Sequence, residues 1–144
     1  MSVPKGKRSK SKVEFEMIYF KLSDSVDNLV EKFSFRDNDI LDRNRMFLNI
    51  VSKHLIQLSF DVLYNIKVAN SIYPTCRAEY EERRVAMGKA IGACYAILTC
   101  IQRVMIRLRI PDDRYTEDVK NVVRMINSLK AWRKSDNKMK TNFE

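Results

Sequence analysis

The sequence predicts an all-α protein, an antiparallel (up-down-up-down) four-helix bundle. Three observations carry that reading. Glycine and proline number only three each in 144 residues, far below average usage, so long stretches run without a breaker. Apolar residues recur at steps of three and four along four segments. The connections between those segments are short, which favours antiparallel neighbours. No segment shows the alternating pattern of a strand. The length suits one domain, read as a basic amino-terminal arm over 1–12, a bundle over 13–134 and a tail over 135–144.

The first helix is expected from Ser11. Ser11 and Glu14 stand in capping-box spacing, where hydroxyl and carboxylate satisfy free backbone N–H groups reciprocally. Phe15, Ile18, Leu22, Val26, Leu29 and Phe33 then form one apolar stripe, and "SFRDND" breaks it. The second helix is expected over about 39–70, with Phe47, Val51, Leu55, Leu58, Val62, Ile66 and Ala69 inward. It stops before Pro74, which disfavours helix at the preceding residue, and Thr75 can cap the next helix.

The third helix is expected over about 75–109, roughly 50 Å long at 1.5 Å per residue. Val85, Ile91, Tyr95, Leu98, Met105 and Leu108 are assigned to its inner side, and Pro111 ends it. The fourth starts at Thr116, with Glu117 and Asp118 near the positive end of the helix dipole. Val119, Val122, Ile126, Leu129 and Trp132 or Arg133 carry its stripe.

Charge is distributed unevenly. The chain is +9 overall, yet residues 13–129 sum to only +1. Lys5, Lys7, Arg8, Lys10 and Lys12 crowd the first twelve residues. Lys130, Arg133, Lys134, Lys138 and Lys140 crowd the last fifteen. Basic arms attract polyanions through counterion release without reading sequence; solvation alone is the plainer alternative. On the third helix Arg103 and Arg107 fall close to one line and could form a phosphate-binding ridge or a solvated face. Gly88, Gly92 and Ala96, at i, i+4 and i+8, put small residues on one side of that helix. Two interior glycines cost about 1 kcal/mol each relative to alanine, so a return is expected, either tight packing within the bundle or a subunit contact.

Catalytic signals are missing. His54 stands without a second ligand at i±4 and is expected to be a buried or half-buried structural residue. Cys76, Cys94 and Cys100 match no metal spacing; Cys94 and Cys100 read as small core residues in a reducing cytoplasm. No glycine-rich phosphate loop exists, and no nucleophile shows a base partner. The mixed charges Glu79, Glu81, Glu82, Arg77, Arg83 and Arg84 read as intrahelical i,i+4 pairs. Tyr19, Phe20, Tyr64, Tyr73, Tyr80 and Tyr95 could include base-stacking residues but are core by default. Trp132, beside Arg133 and Lys134, is the exception singled out, with a lid over the end of the core as its plainer reading. No apolar h-region follows the basic start, and no charge-free run of about 18 apolar residues suggests a membrane span. An enzyme, a cofactor and a metal are therefore not expected.

The opening "SVPKGKRSKSKVEFE", the four amphipathic segments and the closing "INSLKAWRKSDNK" resemble the four-helix-bundle proteins related to the accessory variability determinant (Avd) of diversity-generating retroelements. Those in turn resemble the proteins encoded by intervening sequences of bacterial 23S ribosomal RNA genes. The resemblance implies a small, basic, non-enzymatic, cytoplasmic protein of bacterial or phage origin that assembles as a homopentamer. It would bind a reverse transcriptase and its template RNA and support mutagenic cDNA synthesis. Arg133, Lys134 and the amino-terminal basic run are the positions it implies for RNA contact, beside Lys138, Lys140, Arg103 and Arg107 from the charge pattern. The alternative is an oligomeric protein-interaction bundle with no nucleic-acid role.

Overall fold

The computed structural model describes residues 12–35 and 43–143. Among them the chain is all-helical, with four α-helices and no strand: α1 Lys12–Phe35, α2 Arg45–Ser71, α3 Arg77–Leu108 and α4 Thr116–Asp136. A 3₁₀ helix, Asn137–Phe143, follows α4 directly. Ser11, the 36–39 part of the predicted break and the first residues of the predicted second helix, up to 42, lie outside the described residues.

The main contacts join α1 to α2, α2 to α3, α3 to α4 and α4 to α1, so each helix has two neighbours around one core. Leu22, Leu29, Leu48, Leu55, Ile97, Met125 and Leu129 are fully buried at its centre. The predicted stripes of α1, α2 and α4 face this core, with Phe15, Phe47, Val119 and Trp132 half-buried at its edges.

On α3 the prediction is corrected. Val85 and Tyr95 are exposed, while Met87, Ala90, Cys94, Ile97, Ile101 and Val104 fill the core. Val85, Gly92, Tyr95 and Ile106 on the outer side give α3 uncharged residues on both sides, so two stripes compete in the sequence. An 18-residue window of α3 has a mean hydropathy of 1.4 and 39% of it is buried. By length and composition it could cross a membrane, a possibility that a criterion of charge-free runs does not reveal.

The connections follow local chemistry. Thr75 does not cap α3 with its own side chain; its N–H donates to Glu79 Oε1 at 3.1 Å, and its hydroxyl donates to the same oxygen. Cys76 occupies the cap position without a side-chain cap bond. At the other end Arg109 takes a left-handed conformation (φ 53°, ψ 46°). The Ile110 N–H reaches back to Met105 O at 2.9 Å, a closure that usually recruits glycine at the left-handed residue.

Candidate nucleic-acid interface

Cross-helix contacts fix which basic residues share an end. The Phe15 ring meets Trp132 edge-on, with centroids 5.4 Å apart. The start of α1 therefore lies beside the last turns of α4. Lys12 opens α1, and the last turns of α4 beside that opening carry Arg133 and Lys134. Lys5, Lys7, Arg8 and Lys10 themselves lie outside the described residues, as does the side chain of Lys12. Lys134, Lys138 and Lys140 are exposed, and Arg133 is half-buried.

A buried ion pair anchors this end. Arg83 Nε donates to Asp136 Oδ2 at 2.5 Å and Nη2 to Oδ1 at 3.2 Å. Its Nη1 donates to the carbonyls of Ala69 (3.2 Å) and Ile72 (2.9 Å). The guanidinium also stands 5.1 Å from the centre of the Trp132 ring. One arginine on α3 thus holds the ends of α2 and α4. Trp132 packs on the core and on a small cluster of Ala69, Ala86 and Met87, as expected of a lid. The i,i+4 expectation holds for Arg77 and Glu81, 3.1 Å apart. It fails for Arg83, whose partner is 53 positions away, and for Arg84, which bonds Tyr80 Oη and Asn137 Oδ1.

Beside this anchor lies a cleft of about 280 Å³. One wall is Arg77, Tyr80, Glu81 and Arg84, an i, i+3, i+4, i+7 stripe on α3. The other is Asn137, Lys140 and Phe143, three successive turns of the 3₁₀ helix, in which side chains three apart eclipse. The Tyr80 and Phe143 rings lie 5.9 Å apart with their planes at 37°. Arg84 covers the Tyr80 ring at 5.9 Å. Lys140 has no hydrogen-bond or ion-pair partner among the described residues. Sequence reasoning missed the cleft because 135–144 reads as tail. The signal was the three-residue spacing of Asn137, Lys140 and Phe143.

Arg103 and Arg107 lie at the opposite end, about 36 Å from Arg83 for the 24 residues that separate Arg107 from it on α3. Both are exposed and stand over one ring, Phe47, at 5.6 and 5.5 Å. Arg107 Nε donates to Asn44 Oδ1 at 2.9 Å. The two are thus brought together, but not with the tail.

The glycines do not pack inside the bundle. A Cβ at Gly88 or Gly92 would meet nothing within 4 Å, and Gly92 is exposed with Ala96 half-buried beside it. Gly88 and Gly92 therefore leave open space beside them, while Ala96 packs against the core. His54 is exposed, not buried, because it falls on the outer side of α2. Tyr19 and Tyr80 are core residues, but Phe20, Tyr64, Tyr73 and Tyr95 are exposed. Burial pushes the Cys94 thiol up to about 12 and raises the half-buried Cys100, while Cys76 is exposed. No cluster of three or more metal-ligating side chains occurs among the described residues.

Comparison of the chain with models of protein families, with curated proteins and with solved structures gives no match.

Proposed function

We propose that this protein is a basic, non-enzymatic RNA-binding adaptor that holds its ligand where the two charged termini meet. The observation that carries this reading is the Phe15–Trp132 contact, which sets the start of α1 beside the end of α4. Ten of the 27 basic residues belong to the two terminal runs, and Arg133 and Lys134 of the second run stand where α1 begins. Such a surface neutralises phosphates and sets register, while sequence choice is left to other contacts. On the resemblance to the Avd-related proteins, the ligand is a template RNA. The partner is then a reverse transcriptase, and the setting is cytoplasmic, mutagenic cDNA synthesis.

The up-down-up-down arrangement belongs to the same proposal. Several pairs support it: Glu16 with Lys67, Tyr19 with Ser59, Arg107 with Asn44, Lys130 with Tyr95, and Asn121 with Ser25. In each neighbouring pair of helices the numbers run in opposite senses. A homo-oligomer, a pentamer on the resemblance, would use the open side of α3 at Gly88, Gly92 and Ala96.

A protein-interaction bundle without RNA is the second reading. It is favoured by Met46, Ile50, Phe60 and Tyr64, all exposed on the outer side of α2. RNA binding across a salt series separates the two. Several neutralised phosphates give a steep negative slope of log affinity against log salt. Neutral replacements at Lys5, Lys7, Arg8, Lys10 and Lys12 should weaken binding and flatten that slope. Unchanged affinity and slope refute the arms; absence of binding at low salt leaves the protein-interaction reading.

A further inference from the structure

The cleft between α3 and the 3₁₀ helix carries more than charge. We propose that it is a binding site for a single unpaired nucleotide, with the base against Phe143 and the phosphate held by Lys140 and Arg77. This deepens the adaptor reading and rests on it for the source of the nucleotide, a single-stranded stretch of RNA.

Four features point to that ligand class. The lining is net positive by two, with Arg77, Arg84 and Lys140 against Glu81. Lys140 has no partner among the described residues, and the Arg77–Glu81 pair is largely exposed, so both cations are open to an incoming anion. An aromatic wall stands beside these cations: the Tyr80 and Phe143 planes diverge by 37° and form a wedge, with Phe143 half-buried at its outer side. Every base has a face that stacks on such a ring whatever its sequence. The volume, about 280 Å³, lies just below the range of drug-sized ligand sites and suits one nucleotide and not several.

Chemistry also separates this ligand from an acidic or phosphorylated peptide. A peptide phosphate would use Lys140 and Arg77 but leave the aromatic wedge empty. Glu81, between the cations, would repel further acidic residues, while it can accept from the N–H edge of a base. The floor is firm, because Arg84 is tied to Tyr80 and Asn137, and the adjoining Arg83–Asp136 pair fixes α4 where the 3₁₀ helix begins.

The test uses the full chain and three small probes, AMP, ribose 5-phosphate and a phosphoserine peptide flanked by acids, titrated by NMR or calorimetry. Stacking of one base predicts AMP tighter than ribose 5-phosphate by roughly 5- to 100-fold. Phe143→Ala should erase that difference, and Lys140→Gln should weaken AMP and ribose 5-phosphate alike. Circular dichroism melts verify that both variants fold. Single-stranded RNA is then titrated in a salt series. Phe143→Ala should lower its affinity at an unchanged salt slope, while Lys140→Gln should flatten the slope by about one. Equal binding of AMP and ribose 5-phosphate, tighter binding of the peptide, or AMP affinity indifferent to Phe143→Ala overturns the proposal. Steep RNA binding with a failed AMP test leaves the adaptor standing without this site. AMP binding that needs Phe143, without RNA binding, upholds the site and refutes the adaptor.

Discussion

Breaking the Arg83–Asp136 pair should be among the most damaging single changes in this fold. Their side chains are only 10% and 5% exposed, and the carboxylate accepts two hydrogen bonds from one guanidinium. Asp136→Ala leaves a buried cation with its Nη1 on two carbonyls and no counter-charge. Arg83→Met leaves a buried carboxylate with neither donor and strips the carbonyls of Ala69 and Ile72. Removing one partner of a buried pair costs about 3–5 kcal/mol. Against a typical stability of about 5–15 kcal/mol, either variant should lose about a fifth of it or more. The melting temperature of a chain this size would fall by about 10–20 °C. The double variant Arg83→Met/Asp136→Leu removes both charges and should recover most of the loss, since apolar replacement of both partners is often close to neutral. Urea unfolding followed by circular dichroism, on the two single variants and the double, gives the coupling directly. Single losses below about 1 kcal/mol, the range of solvated pairs, refute the reasoning. So does a double variant whose loss equals the sum of the singles.

Three further outcomes rest on local geometry. Arg109→Gly should stabilise by about 1 kcal/mol, because the left-handed conformation that Arg109 adopts penalises a Cβ; a lower urea midpoint contradicts this. Gly88→Ala and Gly92→Ala should each raise the unfolding free energy by about 1 kcal/mol, since the new methyl enters open space and only helix propensity changes. If the same variants shift sedimentation toward smaller species, the open side of α3 is the subunit contact, and unaltered sedimentation removes it. Glu79 is held below the ordinary carboxylate range, chiefly by the Thr75 hydroxyl, then by the Thr75 N–H and the Cys76 thiol. A lowered carboxyl contributes stability above its unfolded value, about pH 4.3, and loses it as pH falls through the folded value. Glu79→Gln should therefore lower the urea midpoint near neutral pH and converge with the parent in acid; curves that stay parallel refute the link.

How far the sequence reaches depends on whether a helix has one apolar side or two. The stripes of α1 and α4 were legible because charged residues crowd their outer sides. That of α2 was legible because its inward residues keep a regular step of three and four, although Met46, Ile50, Phe60 and Tyr64 face outward. On α3, Val85, Tyr95 and Ile106 lie outside while Ala86, Ala90 and Ala93 lie inside, so residue type alone does not orient it. The Arg83–Asp136 pair was illegible for another reason. Arg83 stands among glutamates that offer nearer partners, and only the packing of α3 on α4 brings residue 136 within reach. The basic termini were legible as charge, but that α1 begins beside the end of α4 depends on Phe15 and Trp132, which sequence reasoning assigns to separate stripes. The cleft needed both failures resolved: the correct face of α3 and order beyond residue 134.

The ion pair and the cleft are linked by what a buried charge can and cannot do. A buried salt bridge is weak evidence for stability, because apolar residues of similar size would hold α3 to α4 about as well. What Leu and Met would not reproduce is direction. The fork of Arg83 accepts the Asp136 carboxylate in one orientation, while its remaining nitrogen is fixed on Ala69 and Ile72. That sets the rotation of α4 about its own axis at its last residue. Asn137 begins the 3₁₀ helix immediately afterwards, so the same constraint decides which edge of that helix meets α3. A turn of about 100°, one residue in an α-helix, would carry Asn137, Lys140 and Phe143 away from Arg77, Tyr80 and Arg84. An apolar substitute at both positions can therefore keep the fold and its stability while losing the cleft. The packing of the helices would survive, and the place where three cations and two rings face each other would not.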